Sequence, residues 1–202
     1  SECGGIRIFG RRIKSLVFST DVAIIKNVNA DAIIAVYPFT PQPSITQAII
    51  SVSEVPVFVG VGGGMTNGDR SVRLAEFSEH QGASGVVVNA PISNETIAKM
   101  KAVVDIPVVT TIVSGDMDIA GRLAAGADIL NVSGASRTPE IVTKIRAEFP
   151  TVPIIATGGP REEDILRTIE AGANAITYTP PTTGQLFADI MISHRKNFSH
   201  QD

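Results

Sequence analysis

The sequence predicts a small (β/α)8 TIM barrel, in which eight parallel strands, each followed by a helix, form a closed sheet across residues 1–202. Eight short apolar runs alternate with amphipathic stretches, which is typical of a parallel sheet covered by helices. Two signatures that open these runs recur at roughly 44 to 53 residues, a spacing that indicates repeated supersecondary units. Because the chain has only 202 residues, we expect one domain with short loops.

The two signatures differ in how they open an apolar run. The first is a small residue, then alanine and a polar residue, and its members are Asn29-Ala30-Asp31, Gly82-Ala83-Ser84, Gly126-Ala127-Asp128 and Gly172-Ala173-Asn174. The second is an apolar residue followed by proline, and its members are Val55-Pro56, Ile106-Pro107 and Val152-Pro153. The runs themselves are rich in β-branched residues and almost continuously apolar. This pattern is typical of strands that are buried on both faces.

The first strand is predicted near residues 16–20 and the last near residues 174–180. Between the strands, the pair Ser44 and Gln47 forms a capping-box pattern, and Thr138 stands directly before a proline at a predicted helix start. The glycines predicted to end helices are Gly82, Gly126 and Gly172. An open, doubly wound sheet is the structural alternative. The regular alternation of the two signatures favours closure, because it treats all strands as equivalent.

The composition excludes several classes of protein. The net charge is −3 and the basic residues are scattered, whereas a nucleic-acid surface needs clustered positive charge. No apolar run is long enough to span a membrane. The single Cys3 excludes an intrachain disulfide and a cysteine-based metal cluster. We therefore expect a cytoplasmic protein without nucleic-acid or membrane partners, and a homo-oligomer is compatible with this kind of barrel.

In such barrels the active site lies at the C-terminal ends of the strands, which selects a small group of polar residues. Asp21, after the first strand, is the favoured catalytic base. Asn89, Thr110 and Asn131 end later strands and are predicted to orient a ligand. The alternative for Asp21 is an N-cap, since aspartate at the start of a helix commonly caps it. Asp116 and Asp118 form only a weak metal signal, so no metal site is predicted.

The loops after the seventh and eighth strands hold a predicted phosphate site. Barrels commonly bind phosphate there, and glycine can expose backbone N–H groups at the start of a helix. The predicted phosphate-binding residues are Ser133, Gly134, Thr157, Gly158, Gly159, Thr182, Thr183 and Gly184. A tight turn followed by an N-cap would use the same residue types. The acidic start of the seventh helix disfavours an anion there, so the helix after strand eight is the better cradle.

The segments ILNVSGAS, IIATGGP and AGANAITYTP, within about the last 75 residues, resemble the phosphate-binding (β/α)8 barrels. That superfamily includes phosphosugar isomerases and epimerases, thiamin phosphate synthase, thiazole synthase and inosine-monophosphate dehydrogenase. The resemblance implies a phosphorylated metabolite or a flavin phosphate in this corner. The nucleophilic cysteine that inosine-monophosphate dehydrogenase carries after strand six is absent, because this chain has Ser133-Gly134-Ala135-Ser136 there.

The reaction itself is only loosely indicated. No lysine stands at a strand end to form a Schiff base, and no histidine is placed as a general base. We expect isomerase-, lyase- or synthase-type chemistry on a phosphorylated small molecule. An FMN-dependent oxidoreductase and a non-catalytic metabolite-binding barrel are the alternatives, and a hydrolase stays open although no Ser-His arrangement supports one. The glycines from Gly60 to Gly64 do not match a dinucleotide fingerprint and form either a mobile lid or a wide turn.

Overall fold

The computed structural model describes the backbone of residues 3–198 and the side chains of residues 3–195. It contains a closed barrel of eight parallel strands surrounded by helices, which confirms the predicted fold class. A two-stranded antiparallel hairpin, β1 (Ile6–Ile8) and β2 (Arg11–Ile13), precedes the barrel and was not predicted. The barrel closes where its first strand, β3 (Ser15–Phe18), pairs with its last strand, β10 (Ala175–Tyr178).

From β3 onwards, strands and helices alternate. The strands are β1 (Ile6–Ile8), β2 (Arg11–Ile13), β3 (Ser15–Phe18), β4 (Ala32–Ala35), β5 (Val57–Gly62), β6 (Gly85–Val88), β7 (Val108–Ile112), β8 (Ile129–Val132), β9 (Ile154–Thr157) and β10 (Ala175–Tyr178). The helices are α1 (Val22–Asn27), α2 (Pro43–Val52), α3 (Asp69–His80), α4 (Asn94–Lys101), α5 (Ile119–Ala124), α6 (Thr138–Glu148), α7 (Glu162–Glu170) and α8 (Thr183–Phe198). A short 3₁₀ helix, Ala135–Arg137, leads into α6. Within the described residues, no helix has the length and apolar character needed to cross a membrane.

Successive residues of each barrel strand point alternately into the barrel and towards the helices. Leu16, Phe58 and Val109 belong to the cluster that fills the interior, whereas their neighbours Val17 and Val108 pack in the layer between sheet and helices. Both layers exclude water, which explains why the strand sequences are almost continuously apolar. The interior is therefore filled by side chains, as in other closed barrels of this size.

The hairpin closes the N-terminal end of the barrel. Ile6, Ile8 and Ile13 are 6%, 5% and 1% exposed and belong to the interior cluster. Its tip is Phe9-Gly10, where both residues have positive φ angles of 46° and 80°, as a tight two-residue hairpin turn requires. The alternating Ile6-Arg7-Ile8 was the sequence signal for this hairpin. Because the hairpin covers one end, a ligand can reach the interior only from the C-terminal end.

The helix boundaries correct two of the predicted caps and confirm the glycine stops. Ser44 does not cap α2, because the helix begins one residue earlier at Pro43 and Gln42 is the N-cap. Thr138 lies inside the start of α6, where its hydroxyl accepts from the Gly134 N–H and donates to the Ala135 carbonyl. The three predicted stops have positive φ angles of 97°, 104° and 109° at Gly82, Gly126 and Gly172 respectively.

We expect Ile13→Ala to lower the free energy of unfolding by about 2–4 kcal/mol, because it leaves a cavity where the hairpin meets the barrel interior. Urea unfolding followed by circular dichroism measures this loss. The matched control is Phe9→Ala at the hairpin tip, where the side chain is 70% exposed and its removal should change little. Equal unfolding midpoints for the two variants would show that the hairpin does not contribute to the core.

Candidate functional site

The C-terminal mouth of the barrel is lined by amide and hydroxyl side chains. Side chains alternate between the two faces of a strand, so the residue two positions after an apolar interior residue also points inward. In each strand this second residue lies next to the mouth. Five inward-facing polar residues lie at this level and are called the ring below: Asn89, Thr111, Asn131, Thr157 and Thr177. The change from apolar to polar at one level of several strands marks the boundary between core and site.

Hydrogen bonds between these side chains are few and long. The Asn131 Nδ2 donates to Thr111 Oγ1 across 3.5 Å, and the Thr157 hydroxyl donates to Ser133 Oγ across 3.3 Å. Thr177 is 5% exposed, and its Oγ1 has no hydrogen-bond partner within the described part of the chain. A buried hydroxyl without a partner carries a desolvation penalty, and Thr110 Oγ1, on the helix-facing side of β7, carries the same penalty.

A cavity of about 270 Å³ opens beside this ring, between the ends of β4, β5 and β6. Its wall is formed by Val36, Gly60 and Asn89, and its rim by Phe39 and Met65, which are 68% and 82% exposed. A Cβ on Gly60 would lie 3.1–3.4 Å from atoms of Val36, so the glycine leaves room at the wall. The cavity is thus mostly apolar and has a few polar side chains, among them Asn89, as is common in small-molecule sites.

The glycine-rich loop after β5 is packed tightly at its start. A Cβ on Gly63 would lie 2.5 Å from the Asn89 backbone nitrogen, and one on Gly62 would lie 2.6 Å from the Thr66 carbonyl oxygen. Gly63 also donates its N–H to that carbonyl at 2.9 Å. The first glycines are therefore needed for close approach of the backbone, and a lid function for Gly60 to Gly64 stays a prediction.

Arg122 positions the loop that follows Asn89, and the sequence reasoning missed this role. The side chain, only 9% exposed, donates from Nη2 to the Ala90 carbonyl at 2.8 Å and from Nη1 to the Ile92 carbonyl and Asn94 Oδ1. Burial lowers the pKa of its guanidinium, yet arginine stays charged far above neutral pH. The available signal was an arginine within the mostly apolar segment IAGRLA of α5.

Asp21 caps two helices at once. Its Oδ1 accepts from the Ala23 and Ile24 N–H groups at the start of α1 and from the Thr183 hydroxyl at 2.9 Å. Its Oδ2 accepts the Thr183 N–H at the start of α8, also at 2.9 Å. The hydrogen bonds from Thr183 and then those from α1 lower the pKa of the carboxyl, which makes it a weak proton acceptor. We therefore assign no proton transfer to Asp21.

The other predicted orienting residues fall into two groups. Asn89 and Asn131 lie at the mouth, where Asn89 lines the cavity and Asn131 belongs to the ring. Thr110 is fully buried and shares its orientation with Val108 and Ile112, which pack towards the helices, so the structure does not bring it to the mouth. Its neighbour Thr111 takes the inward position, because strand residues alternate.

The predicted phosphate corner is divided in the structure. Ser133 and Thr157 meet at the mouth, but Gly158 donates its N–H to the Thr177 carbonyl at 3.1 Å and packs against Ile165 and Ile176. Three further predicted residues donate hydrogen bonds within the protein: Gly134 to Thr138 Oγ1, Thr182 to the Gln185 side chain and Thr183 to Asp21. Gly159 lies against Asp164, and Gly184 stands in the exposed first turn of α8.

A carboxylate thus already occupies the N-terminus of α8, where the sequence predicted a phosphate. Both are oxygen anions that a helix N-terminus attracts, so a phosphate there would compete with Asp21. A phosphate bound by Ser133 and Thr157 would not compete with the Asp21 carboxylate. Phosphate binding in this corner stays a prediction.

The two aspartates with a weak metal signal have structural partners. Asp116 pairs with Lys144 at 3.0 Å, and Asp118 accepts the Gly121 N–H at 2.8 Å as the N-cap of α5. Across the residues that the structure describes, no three histidine, cysteine or acidic side chains are grouped as a metal site would need.

No family model and no curated protein matches this chain in sequence. Solved structures do match it in fold. A candidate phosphonomutase from Burkholderia cenocepacia J2315 superposes with a TM-score of 0.68 at 16% identity, covering 97% of this chain and 95% of that one.

Two further neighbours are similar to the same degree. Phosphonopyruvate hydrolase in complex with oxalate and Mg²⁺ gives a TM-score of 0.66 at 16% identity, with coverage of 94% and 82%. The enzyme 2,3-dimethylmalate lyase, a member of the PEP mutase/isocitrate lyase superfamily, gives 0.67 at 13% identity, with coverage of 93% and 81%. The TM-scores show that the chain shares the barrel fold of these proteins, and at identities this low the likeness shows the fold alone.

We expect Asp21→Ala to destabilise the protein by about 1–2 kcal/mol at neutral pH, because two helices lose a capping carboxylate. The native pKa of Asp21 is lowered, so its contribution is complete above the unfolded value of about 3.9 and disappears as the pH falls through the native value. Urea unfolding of both proteins as a function of pH measures this. Asp116→Ala, which removes an exposed ion pair, is the control, and a difference that persists in strong acid would contradict the assignment.

Proposed function

We propose that this chain binds a small phosphorylated metabolite at the C-terminal mouth of the barrel and catalyses isomerase- or lyase-type chemistry on it. The observation that carries the proposal is the ring of inward-facing amides and hydroxyls above an otherwise apolar interior. Core positions in a closed barrel are normally apolar, so polar groups at one level have another use. The hairpin at the opposite end leaves this mouth as the access route.

The chemistry of the ring suits oxygen-rich anions. Asn131, Thr111 and Thr157 offer neutral N–H and O–H donors. Donors of this kind bind carboxylate or phosphate oxygens, and they stabilise the oxyanion that forms when a bond next to a carbonyl breaks. Isomerases and lyases commonly pass through such an oxyanion. The role proposed for these side chains is therefore charge stabilisation and orientation.

The names of the structural neighbours support the same class of ligand. They are a candidate phosphonomutase, a hydrolase of phosphonopyruvate seen with oxalate, and a lyase of 2,3-dimethylmalate. All of these names refer to phosphonates or short carboxylates. We therefore propose that the ligand is a short acid bearing carboxylate and phosphate or phosphonate oxygens.

The mouth does not provide the ligands that Mg²⁺ prefers. Magnesium is usually held through carboxylates, and the five ring positions carry amides and hydroxyls. Asp21 is a carboxylate near the mouth, but both of its oxygens are engaged in capping. We therefore derive no step through a protein-bound Mg²⁺.

A second candidate function is metabolite binding without catalysis. It is favoured by a specific observation, which is that the ring contains no carboxylate, histidine or lysine to move a proton. General acid–base catalysis relies on such groups. A sensor or carrier would need only the hydrogen-bonding ring and the cavity beside it. The FMN alternative has no comparable structural support, and a purified protein that is colourless and gains no absorbance with added flavin would exclude it.

We expect phosphonopyruvate, oxalate or inorganic phosphate to bind at the mouth, and Asn131→Ala to weaken that binding about 10-fold or more, because a hydrogen bond to a charged oxygen is lost. Isothermal titration calorimetry with each compound measures the affinity. Asn27→Ala is the matched control, since Asn27 bonds the Ala23 carbonyl on α1, away from the ring. If none of these compounds binds, or if Asn131→Ala binds as tightly as the natural chain, the site assignment is wrong.

Turnover separates the two candidate functions. We expect an enzyme to convert phosphonopyruvate or 2,3-dimethylmalate into new products, which phosphorus and proton NMR of the incubated mixture detect. The variant Asn131→Ala should slow the conversion, because the ring would then stabilise developing charge less well. Tight binding without any product would support the non-catalytic function instead.

A further inference from the structure

A second cavity, of about 450 Å³, lies between the N-terminal ends of α6 and α7 and is called the α6–α7 cavity below. Its walls come from the 3₁₀ helix before α6, from the loop that joins β9 to α7, and from the two helices. Thr157 belongs to the ring and also lines this cavity, so the two spaces are adjacent. The α6–α7 cavity is larger than the 270 Å³ cavity beside Asn89, and the function proposed above makes no use of it.

The buried hydroxyls in the wall of this cavity already have partners within the protein. Thr138 and Thr168 both line it and are buried. The Thr138 hydroxyl accepts the Gly134 N–H and donates to the Ala135 carbonyl, and the Thr168 hydroxyl donates to the Asp164 carbonyl at 2.8 Å. Because these groups are satisfied, a polar ligand would gain little from them. The buried part of the wall therefore suits an apolar occupant.

The charged side chains of the wall do not select an anion. Arg161 donates from Nε and Nη2 to the two carboxylate oxygens of Asp164, at 3.0 and 3.1 Å, so these two charges offset each other. Arg167 is exposed, and its charge is solvated. Much of the remaining wall is apolar and includes Pro139 and Pro160. The α6–α7 cavity is therefore distinct in its chemistry from the ring, which offers hydrogen-bond donors.

The size and rigidity of this cavity suit a chain of several carbon atoms. Ligand pockets usually measure roughly 300–1,000 Å³, and the α6–α7 cavity lies within that range. At roughly 30 Å³ for each water of the liquid, it has room for about 15 such molecules. Proline fixes its own φ angle, so Pro139 and Pro160 stiffen the walls at the two helix starts. Rigid walls need little ordering when an apolar group enters.

We propose that the α6–α7 cavity binds the apolar chain of a ligand whose phosphate, phosphonate or carboxylate group is held by the ring. The inference rests on the function proposed above, because the ring supplies the anion site. It extends the ligand from a short acid to an amphiphilic acid with a chain of about eight carbon atoms, which the cavity has room to hold. Burial of that chain beyond Thr157 supplies the affinity that the uncharged ring lacks.

Alkylphosphonates from methyl to octyl test this proposal, because they share one acid group and differ only in the length of the apolar chain. By isothermal titration calorimetry, we expect octylphosphonate to bind at least about 10-fold more tightly than methylphosphonate. Ser136→Trp places a large side chain at the cavity wall and should remove this difference without weakening methylphosphonate. Thr143→Trp, at an exposed position of α6 outside the cavity, is the matched control and should keep the difference.

The outcomes separate this inference from the function on which it rests. Equal affinities for methylphosphonate and octylphosphonate would overturn the chain-binding role and leave the anion site at the ring intact. If neither compound binds, the proposed function fails together with the inference. A preference for octylphosphonate that persists in full in Ser136→Trp would place the chain elsewhere and would also overturn the inference.

Photolabelling locates the chain in the natural protein and does not depend on a variant. An octylphosphonate with a diazirine at the end of its chain should label residues 135–139 or 158–168, which mass spectrometry of the digested protein identifies. Excess octylphosphonate should suppress this labelling. Labels confined to other parts of the chain, such as the exposed apolar side chains Leu186 and Phe187 of α8, would contradict the proposal.

Discussion

Closure of the eight strands forces alternate residues of every strand into an interior of fixed volume, and the other features of the molecule depend on this constraint. Large and small residues must complement one another there. A Cβ on Gly85 would lie 2.5 Å from the ring of Phe58, so the phenylalanine on one strand requires the glycine on the next. The same constraint allows the polar residues at the mouth to be interpreted, because a polar residue at an inward position must face either a ligand or another polar group.

Much of the fold was predictable because it follows from local patterns. The parallel strands and the glycine stops depend on residues adjacent in sequence, and the structure contains them as expected. The site was harder to predict because it depends on strand orientation and distant partners. Thr110 and Thr111 are equivalent by composition, and only the orientation of β7 sends Thr111 inward. Asp21 was predicted as a catalytic base with an N-cap as the alternative, and only the fold brings Thr183, 162 positions later, against its carboxylate.

The polar side chains at the mouth are uncharged, and the loops beside them are held rigidly. Arg122 holds the loop after β6 through backbone carbonyls, and tight glycine contacts hold the loop after β5, so Asn89 is fixed between them. Rigid placement favours selective binding, since little ordering is needed when a ligand arrives. Uncharged groups stabilise an anion without moving protons, which is why binding and catalysis are both compatible with the same ring.

The pairing of β3 with β10 has a consequence for how the chain is made. During synthesis the first barrel strand emerges long before its neighbour, and Gly5 likewise waits for the Asn174 carbonyl that it reaches at 2.8 Å. The sheet therefore stays open, with one unpaired edge at each end, until β10 has left the ribosome.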